Sequence, residues 1–415
     1  MTKKHWYKLD NVGNFYSLTN NSTIPAVFRY SVTLKDNVDS KILQQALEQS
    51  LNYFPNFNCH LKKGFFWLYL EASDKKVYVA KENKPICSKI YKDEDDILFG
   101  VNFYEKRINL EISHIISDGR GSLNFFKCIV YKYLILKYDI KNVEIETGAS
   151  NFEKNEDSFD KYYTRPKFKF SLPKKIYKYK NKKKKDTTYI EYHISVSKTL
   201  ELAHKYKVSL TSLLTAVLIK SYINQMKRVE FNKTIKIDIP VDLRQYFKSY
   251  TSRNFFGLVS ILYKNDGSND SLEEIINTVN EQLKSKVNID NLKVRMNNMI
   301  YFEKNLAIRF VPIFIKDIVL KIADYLSSQG CTSSISNIGE ITVNEKLEKY
   351  IENFNVLSTT NTLKITACSY KDDLSIGFSS KYISNDVIKD FCRFFSKNEI
   401  YGVINISGDD CCEKM

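Results

Sequence analysis

The residues in this chain best suited to chemistry form one short run, Glu111-Ile112-Ser113-His114-Ile115-Ile116-Ser117-Asp118-Gly119-Arg120-Gly121. A histidine ends an apolar alternation, an aspartate follows four positions later, and a glycine comes directly after. An imidazole titrates near neutrality and can accept a proton on one ring nitrogen while the other donates. It can therefore take the proton of a hydroxyl or an amine as that group attacks a carbonyl. Asp118 can serve such a histidine in two ways, by folding back under the ring or by anchoring the loop to a cation. A buried carboxylate needs a partner, and the two-pronged arginine side chain suits it. Gly119 is expected to allow a tight turn there. No Ser-His-Asp or Cys-His order with a nucleophile elbow accompanies the run, so direct transfer is the simpler chemistry.

The flanking pattern places His114. Arg107 to Ile112 alternates as a strand, and Ser122 to Tyr138 carries the apolar period of a helix through Leu123, Phe126, Ile129, Val130, Tyr133 and Leu134. A strand end opening into a loop commonly presents reactive side chains. Earlier in the chain, Ala26 to Leu34 reads as a strand, Asp39 caps a helix through Leu43, Ala46, Leu47 and Leu51, and Pro55 stops it. Short strands follow around Cys59, across Phe65 to Leu70, across Lys76 to Val79 and across Phe99 to Tyr104. Trp67 and its aromatic neighbours read as core packing. After residue 186 the order begins again. Thr187 to Val196 is a strand, and helices follow over Lys198 to Tyr206 and from a Ser209 or Thr211 cap through Tyr222. Thr234 to Pro240 alternates cleanly and delivers Asp242-Leu243-Arg244 into a turn. A strand over Phe255 to Tyr263 precedes a helix opened by Ser271 and running to about Val287. Two helices are expected over Asn291 to Lys304 and Pro312 to Ser328. Strands over Ser333 to Gly339, Lys364 to Tyr370 and Leu374 to Ser380 and a helix over Asn385 to Lys397 complete the pattern.

A chain of 415 residues with 43% hydrophobic and 13% aromatic residues is globular rather than disordered, and long enough for two cores. The expected division is residues 1–155, a crossover linker at 156–186, and residues 187–415, each domain a mixed β-sheet covered by helices. The net charge of +15 is concentrated: Lys161 to Lys185 holds 12 Lys and Arg with no acidic residue, which leaves 51 basic against 48 acidic residues elsewhere. That segment, with Pro166, Pro173 and the run Lys182-Lys183-Lys184-Lys185, reads as a solvated surface linker, with contact to the phosphates of an anionic ligand, a carrier protein or a membrane surface as the alternative. Nucleic acid is not the expected partner. Eight cysteines without C-x-x-C spacing suggest neither a zinc site nor a disulfide framework. The adjacent Cys411 and Cys412 read as a solvent-exposed pair rather than a redox or metal site. No run of about 18 apolar residues suggests a membrane span, and a soluble protein of the cytoplasm is expected.

At the His114 run the chain resembles the acyl-CoA-dependent acyltransferase superfamily. That group includes chloramphenicol acetyltransferase, polyketide-associated acyltransferases, plant BAHD enzymes and condensation domains, and the likeness is strongest to its alcohol acetyltransferase branch. Further stretches carry the likeness: Tyr7-Lys8-Leu9-Asp10, Phe54-Pro55, Phe66-Trp67, the run Ile239-Pro240-Val241-Asp242-Leu243-Arg244 with Arg253-Asn254-Phe255-Phe256-Gly257, and Ser336-Asn337-Ile338-Gly339. The resemblance implies an α/β fold of two chloramphenicol-acetyltransferase-like domains with an active-site tunnel between them. It implies that His114 is the general base and that Asp118 points away from substrate to pair with Arg244. Ser334, Ser336 and Asn337 would line the tunnel, where a hydroxyl could stabilise an oxyanion; Ser336 and Asn337 read equally as turn residues. The implied partners are an acyl-CoA co-substrate and a small-molecule alcohol, with no permanently bound cofactor and no metal. An amine acceptor, an acyl carrier protein donor, and a non-catalytic binding protein that keeps the fold are the alternatives. Ser113 stands where condensation domains carry a second histidine, and the BAHD element D-F-G-W-G is missing. Arg120 reads either as a contact to an anionic substrate group or as a solvent-facing residue.

Overall fold

In a computed structural model of the 415-residue chain, residues 5–19, 25–91, 93–145, 149–165, 176–265, 267, 271–304, 311–313, 315–316 and 330–407 are described. Cys411 and Cys412, the prolines at 166 and 173, and most of the helix expected over 312–328 lie outside them. The first half runs β1 (Trp6–Lys8), α1 (Asn11–Thr19), β2 (Val27–Leu34), α2 (Ser40–Tyr53), β3 (Cys59–Lys63), β4 (Leu68–Ala72), β5 (Ala80–Lys81), β6 (Phe99–Tyr104), β7 (Arg107–Ser113), α3 (Gly119–Tyr138), α4 (Asn151–Lys154) and α5 (Ser158–Tyr162). The second half runs β8 (Lys183–Ser195), α6 (Val196–Lys205), α7 (Leu210–Ile223), β9 (Thr234–Asp242), β10 (Phe256–Lys264), α8 (Leu272–Lys286), α9 (Ile289–Lys304), β11 (Ser333–Glu340), α10 (Glu345–Glu348), β12 (Ile351–Ser358), β13 (Leu363–Tyr370), β14 (Asp373–Tyr382), α11 (Asp386–Lys397) and β15 (Gly402–Ser407).

Helix ends follow local chemistry. Asp39 accepts from the backbone N–H groups of Lys41 and Ile42 at the start of α2, and Ser209 and Ser271 cap α7 and α8 in the same way. The strands form a three-stranded sheet in the order β1-β4-β3, a five-stranded sheet in the order β12-β2-β7-β6-β5, and a seven-stranded sheet in the order β10-β9-β11-β13-β14-β8-β15. β12, from the stretch expected to build the second domain, lies in the N-terminal sheet, antiparallel to β2 from Ser358 opposite Phe28 to Ile351 opposite Leu34. It closes an edge that β2 would otherwise expose. Phe354 and Val356 accordingly join the core formed by Tyr30, Phe126 and Ile129, while Val12 from α1 joins the other core with Val217 and Ile376.

Several expectations are corrected. The opening is ordered as β1 and α1, the strand expected at Lys76 to Val79 is reduced to β5, and Lys183 to Lys185 begin β8 instead of ending a linker. Trp67 and Phe65 are 63% and 69% exposed, so this aromatic run is surface and not core. The three-stranded sheet is too small to bury both faces, and a hydrophobic run by itself does not say which face is covered.

β7 shows how two sheets meet. Its apolar residues Ile108, Leu110 and Ile112 face the core with α3, and its polar residues Asn109, Glu111 and Ser113 are buried as well. Glu111 binds Arg29 of β2 at 2.7 Å. At the start of the same strand, Arg107 donates through both terminal nitrogens to Glu191 of β8 at 3.0 and 2.7 Å, a two-pronged bridge between the five- and seven-stranded sheets. His193, two residues along β8, contacts Asp373 at 3.0 Å and Glu191 at 3.8 Å. Burial lifts the Glu191 carboxyl, but hydrogen bonds from His193 and Arg107 outweigh it and hold the group down at about 2. Burial lowers His193, but its bonds to Asp373 and Glu191 raise it to about 9.

The His193 contribution to stability is complete below its ordinary pKa of about 6.5 and is lost as pH rises through 9. The Glu191 contribution is complete above about 4.5 and is lost as pH falls toward 2. The contribution of this network is therefore expected to be largest between about pH 4.5 and 6.5, on the order of 3 kcal/mol. His193→Gln should remove the decline between pH 6.5 and 9; an identical decline in the variant would show that another group is responsible.

Candidate active site

His114 is set just beyond β7, where its backbone N–H donates to Ala26 O at 2.8 Å. Its ring is held by aromatic neighbours. Tyr16 of α1 stacks on it at 4.8 Å and 19°, and Phe28 of β2 lies 4.4 Å away at 39°. Nδ1 is enclosed and makes no hydrogen bond of good geometry, while the residue lines a cavity. Burial, and after it the charge of Lys364, push the imidazole down to about 3, with a backbone group of Ser117 acting weakly the other way. The ring is thus neutral at physiological pH and able to accept a proton.

Asp118 does not face this ring. It caps α3 by accepting from Gly121 N at 2.9 Å, and its two oxygens also take Arg244 Nη2 at 3.2 Å, Arg244 Nη1 at 2.9 Å and Phe255 N at 2.6 Å. Those four contacts occupy the acceptor capacity of a carboxylate. Arg244, in the turn after β9, is equally committed. Nε donates to Thr251 O at 2.9 Å, Nη1 also reaches Asp242 at 2.9 Å, and Nη2 also reaches Arg253 O at 2.6 Å. Of the two services open to Asp118, the geometry provides the anchor to a cation.

The His114 loop is tied down again from the other half of the chain. Asn254 Nδ2 donates to His114 O at 3.0 Å and to both oxygens of Asp10 at 3.2 and 3.3 Å, and Arg253 approaches Asp10 at 3.5 Å. Burial pushes the Asp10 carboxyl up to about 7 against the opposing charge of Arg253. Residues 7–10 and 253–257, which carry part of the resemblance, therefore meet at the carbonyl of His114. Ser117 Oγ donates to Ser252 O at 2.6 Å and secures the next turn.

Gly119 is the first residue of α3, directly after the loop, and its φ is not positive. Its need for glycine is spatial, because a Cβ would meet Ile338 Cδ1 at 3.0 Å and the Tyr30 hydroxyl at 3.3 Å. Gly121, which carried no expectation, is more restricted: a Cβ there would lie 2.1 Å from Ser252 O.

His114, Asp118, Gly119, Arg244, Ser334, Ser336 and Asn337 all border one cavity of about 1430 Å³. The backbone opens it. Neighbouring strands β9 and β11 run parallel but pair only at Ser333 with Ile237 and Ser334 with Asp238. Beyond that point Ile239 to Asp242 and Ser336 to Gly339 line opposite sides of the opening. A bulge between Asn337 and Gly339, with Gly339 at φ +86°, turns β11 away. Asn337 is held by Thr211 Oγ1 at 3.1 Å and by the Gly339 N–H at 3.0 Å, so its amide is used in shaping the wall. Arg120 lies 3.5 Å from Asp242 on the same lining. Tyr16, Phe28, Asn254 and Lys364 were not singled out from sequence as site residues. Only the position of Asn254 in the Arg253 to Gly257 run offered a signal. Among the described residues, no cluster of His, Cys, Asp and Glu is arranged to hold a metal ion, and no helix is long and apolar enough to cross a membrane.

Arg244→Ala would leave Asp118 buried without its charged partner, and a loss of about 3–5 kcal/mol in unfolding free energy is expected by denaturant titration. Gly121→Ala should lower the thermal midpoint more than Gly119→Ala, since a backbone oxygen cannot yield as a flexible Ile338 methyl can. The reverse order would place the critical close approach at Gly119.

No protein-family model and no curated protein sequence matches the chain. Solved structures do. The trichothecene acetyltransferase TRI101 of Fusarium graminearum, complexed with coenzyme A and T-2 mycotoxin, matches with a TM-score of 0.66 and 12% identity over 96% of this chain and 99% of that one. The TRI3 trichothecene 15-O-acetyltransferase of Fusarium sporotrichioides matches at 0.64 and 8% identity over 94% of each chain. Polyketide synthase associated protein 5 of Mycobacterium tuberculosis matches at 0.60 and 13% identity over 94% of this chain and 96% of its own. The chain therefore shares the fold of these solved structures, a mixed α/β arrangement of sheets covered by helices.

Proposed function

We propose that the protein is an acyltransferase that moves an acyl group, acetyl in the simplest case, from a coenzyme A thioester to the hydroxyl of a small-molecule alcohol. The observation that carries this reading is a buried, ring-stacked His114 on the wall of a large cavity, with the nearby Asp118 and Arg244 saturated by each other and by backbone. In the reaction, His114 accepts the hydroxyl proton as the oxygen bonds to the thioester carbonyl carbon. The tetrahedral intermediate then collapses, the C–S bond breaks, and the imidazolium returns the proton to the departing thiolate. The rigidity of the His114 loop positions the base without a carboxylate beneath it. Ser334 and Ser336 of β11 line the same cavity, and a hydroxyl of either would donate to the developing oxyanion.

Support for a coenzyme A donor comes from the fold neighbour crystallised with that molecule and from Lys207, just before α7, and Lys284, in the last turn of α8, which line the cavity and suit phosphates. An acyl carrier protein would offer a phosphopantetheine arm without the nucleotide. The two donors are separated by acetyl-CoA and N-acetylcysteamine thioacetate, which lacks the nucleotide end. A Lys207→Gln/Lys284→Gln double variant should raise KM for acetyl-CoA several-fold and leave the truncated donor unaffected.

His114→Ala is expected to lower kcat for thiol release from acetyl-CoA with an alcohol panel by about 10²–10⁴-fold. Full activity in that variant would remove His114 as the base. Because the deprotonated form prevails above about 3, kcat/KM should show no fall between pH 7 and pH 5, where a histidine of ordinary pKa would already be largely protonated.

A further inference from the structure

Lys364 of β13 stands in register with Ser334 of β11 and borders the same cavity as His114. Its Nζ donates to Ser358 Oγ at 2.9 Å. Ser358 closes β12 and lies opposite Phe28, the residue whose ring packs against His114, so the lysine head reaches the imidazole wall of the cavity. Its charge is felt there as one of the influences that lower His114. Burial draws Lys364 itself down to about 8, which leaves it mainly protonated at neutral pH.

An ammonium drawn out of bulk water is costly unless an opposite charge meets it. Among the described residues Lys364 has no ion-pair partner. The carboxylates on the same lining are committed elsewhere: Asp118 and Asp242 to Arg244, and Asp238 to Ser260 at 2.5 Å and Lys236 at 3.6 Å. Ser358 accepts from Lys364, and its own hydrogen has only a long contact to Thr359 O at 3.4 Å. One cation and one hydroxyl hydrogen, side by side, match the two oxygens of a carboxylate. A phosphate dianion would call for more desolvated charge than this pair supplies.

We propose that Lys364 and Ser358 form a carboxylate-binding subsite and that the acyl acceptor is a hydroxy acid, its carboxylate seated on this pair while its hydroxyl reaches His114. The inference rests on the acyltransferase reading above and narrows its acceptor from alcohols at large to anionic ones.

The test uses the full-length protein and isothermal calorimetry with 3-hydroxybutyrate, 6-hydroxyhexanoate and 4-hydroxybenzoate, each against its methyl ester. At least one acid should bind about tenfold or more tightly than its ester, the effect expected of a hydrogen-bonded charge pair. Lys364→Met should abolish that preference while leaving the ester's affinity within about twofold, and Ser358→Ala should weaken the acid only. Thermal melting of both variants confirms that they fold. The proposal is overturned if no acid is favoured over its ester, if the preference survives in Lys364→Met, or if that variant loses kcat equally for acid and ester acceptors, which would move Lys364 to the oxyanion. Thiol release from acetyl-CoA is read separately. Its absence with every acceptor defeats the acyltransferase reading and leaves the calorimetric comparison to stand or fall by itself.

Discussion

The ion pair between Asp118 and Arg244 is the contact on which the arrangement around His114 depends. It joins the first turn of α3 to the turn between β9 and β10, and each partner also holds backbone: Asp118 holds Gly121 and Phe255, and Arg244 holds Thr251 and Arg253. A buried pair of this kind is weak as a source of net stability but strict about geometry, because either charge alone would be stranded. Its effect is to make the distance between the two halves of the chain a fixed quantity at the point where the histidine is presented. The polar ends of segment 251–255 then reach the loop directly, through Asn254 to His114 O and Ser252 O to Ser117.

A second constraint is dryness. Aromatic rings on both sides of His114 exclude water from Nδ1, and the same burial that lowers the imidazole lowers Lys364 and raises Asp10. In the proposed reaction, a base of such low basicity would draw its driving force from the charge that develops opposite it during attack, which a water-poor cavity strengthens.

How far the sequence discloses this depends on how local each signal is. His114, Asp118 and the strand and helix around them are spelled out within a dozen residues, and the capped helices likewise carry their own punctuation. The pairing with Arg244, 126 positions away, came from family likeness and not from spacing. Lys364 and Phe28 have no local mark at all, because only tertiary packing turns a strand lysine and a strand phenylalanine toward one histidine. β12 was missed because Glu352, Asn353 and Asn355 interrupt its alternation, and the structure buries Asn355 with a hydrogen bond from Ser375. Gly121 was passed over for Gly119 because a close backbone approach from 131 residues away leaves no trace in neighbouring residues.

The placement of β12 has a consequence for how the protein comes to be folded. The sheet that carries β7 and its histidine is completed by residues 351–358, which leave the ribosome long after β2. Until then the nascent N-terminal half presents an open strand edge and an incomplete core lacking Phe354 and Val356. The N-terminal sheet therefore matures late in synthesis, and the interval between β2 and β12 is when the growing chain most needs protection from pairing with a neighbour.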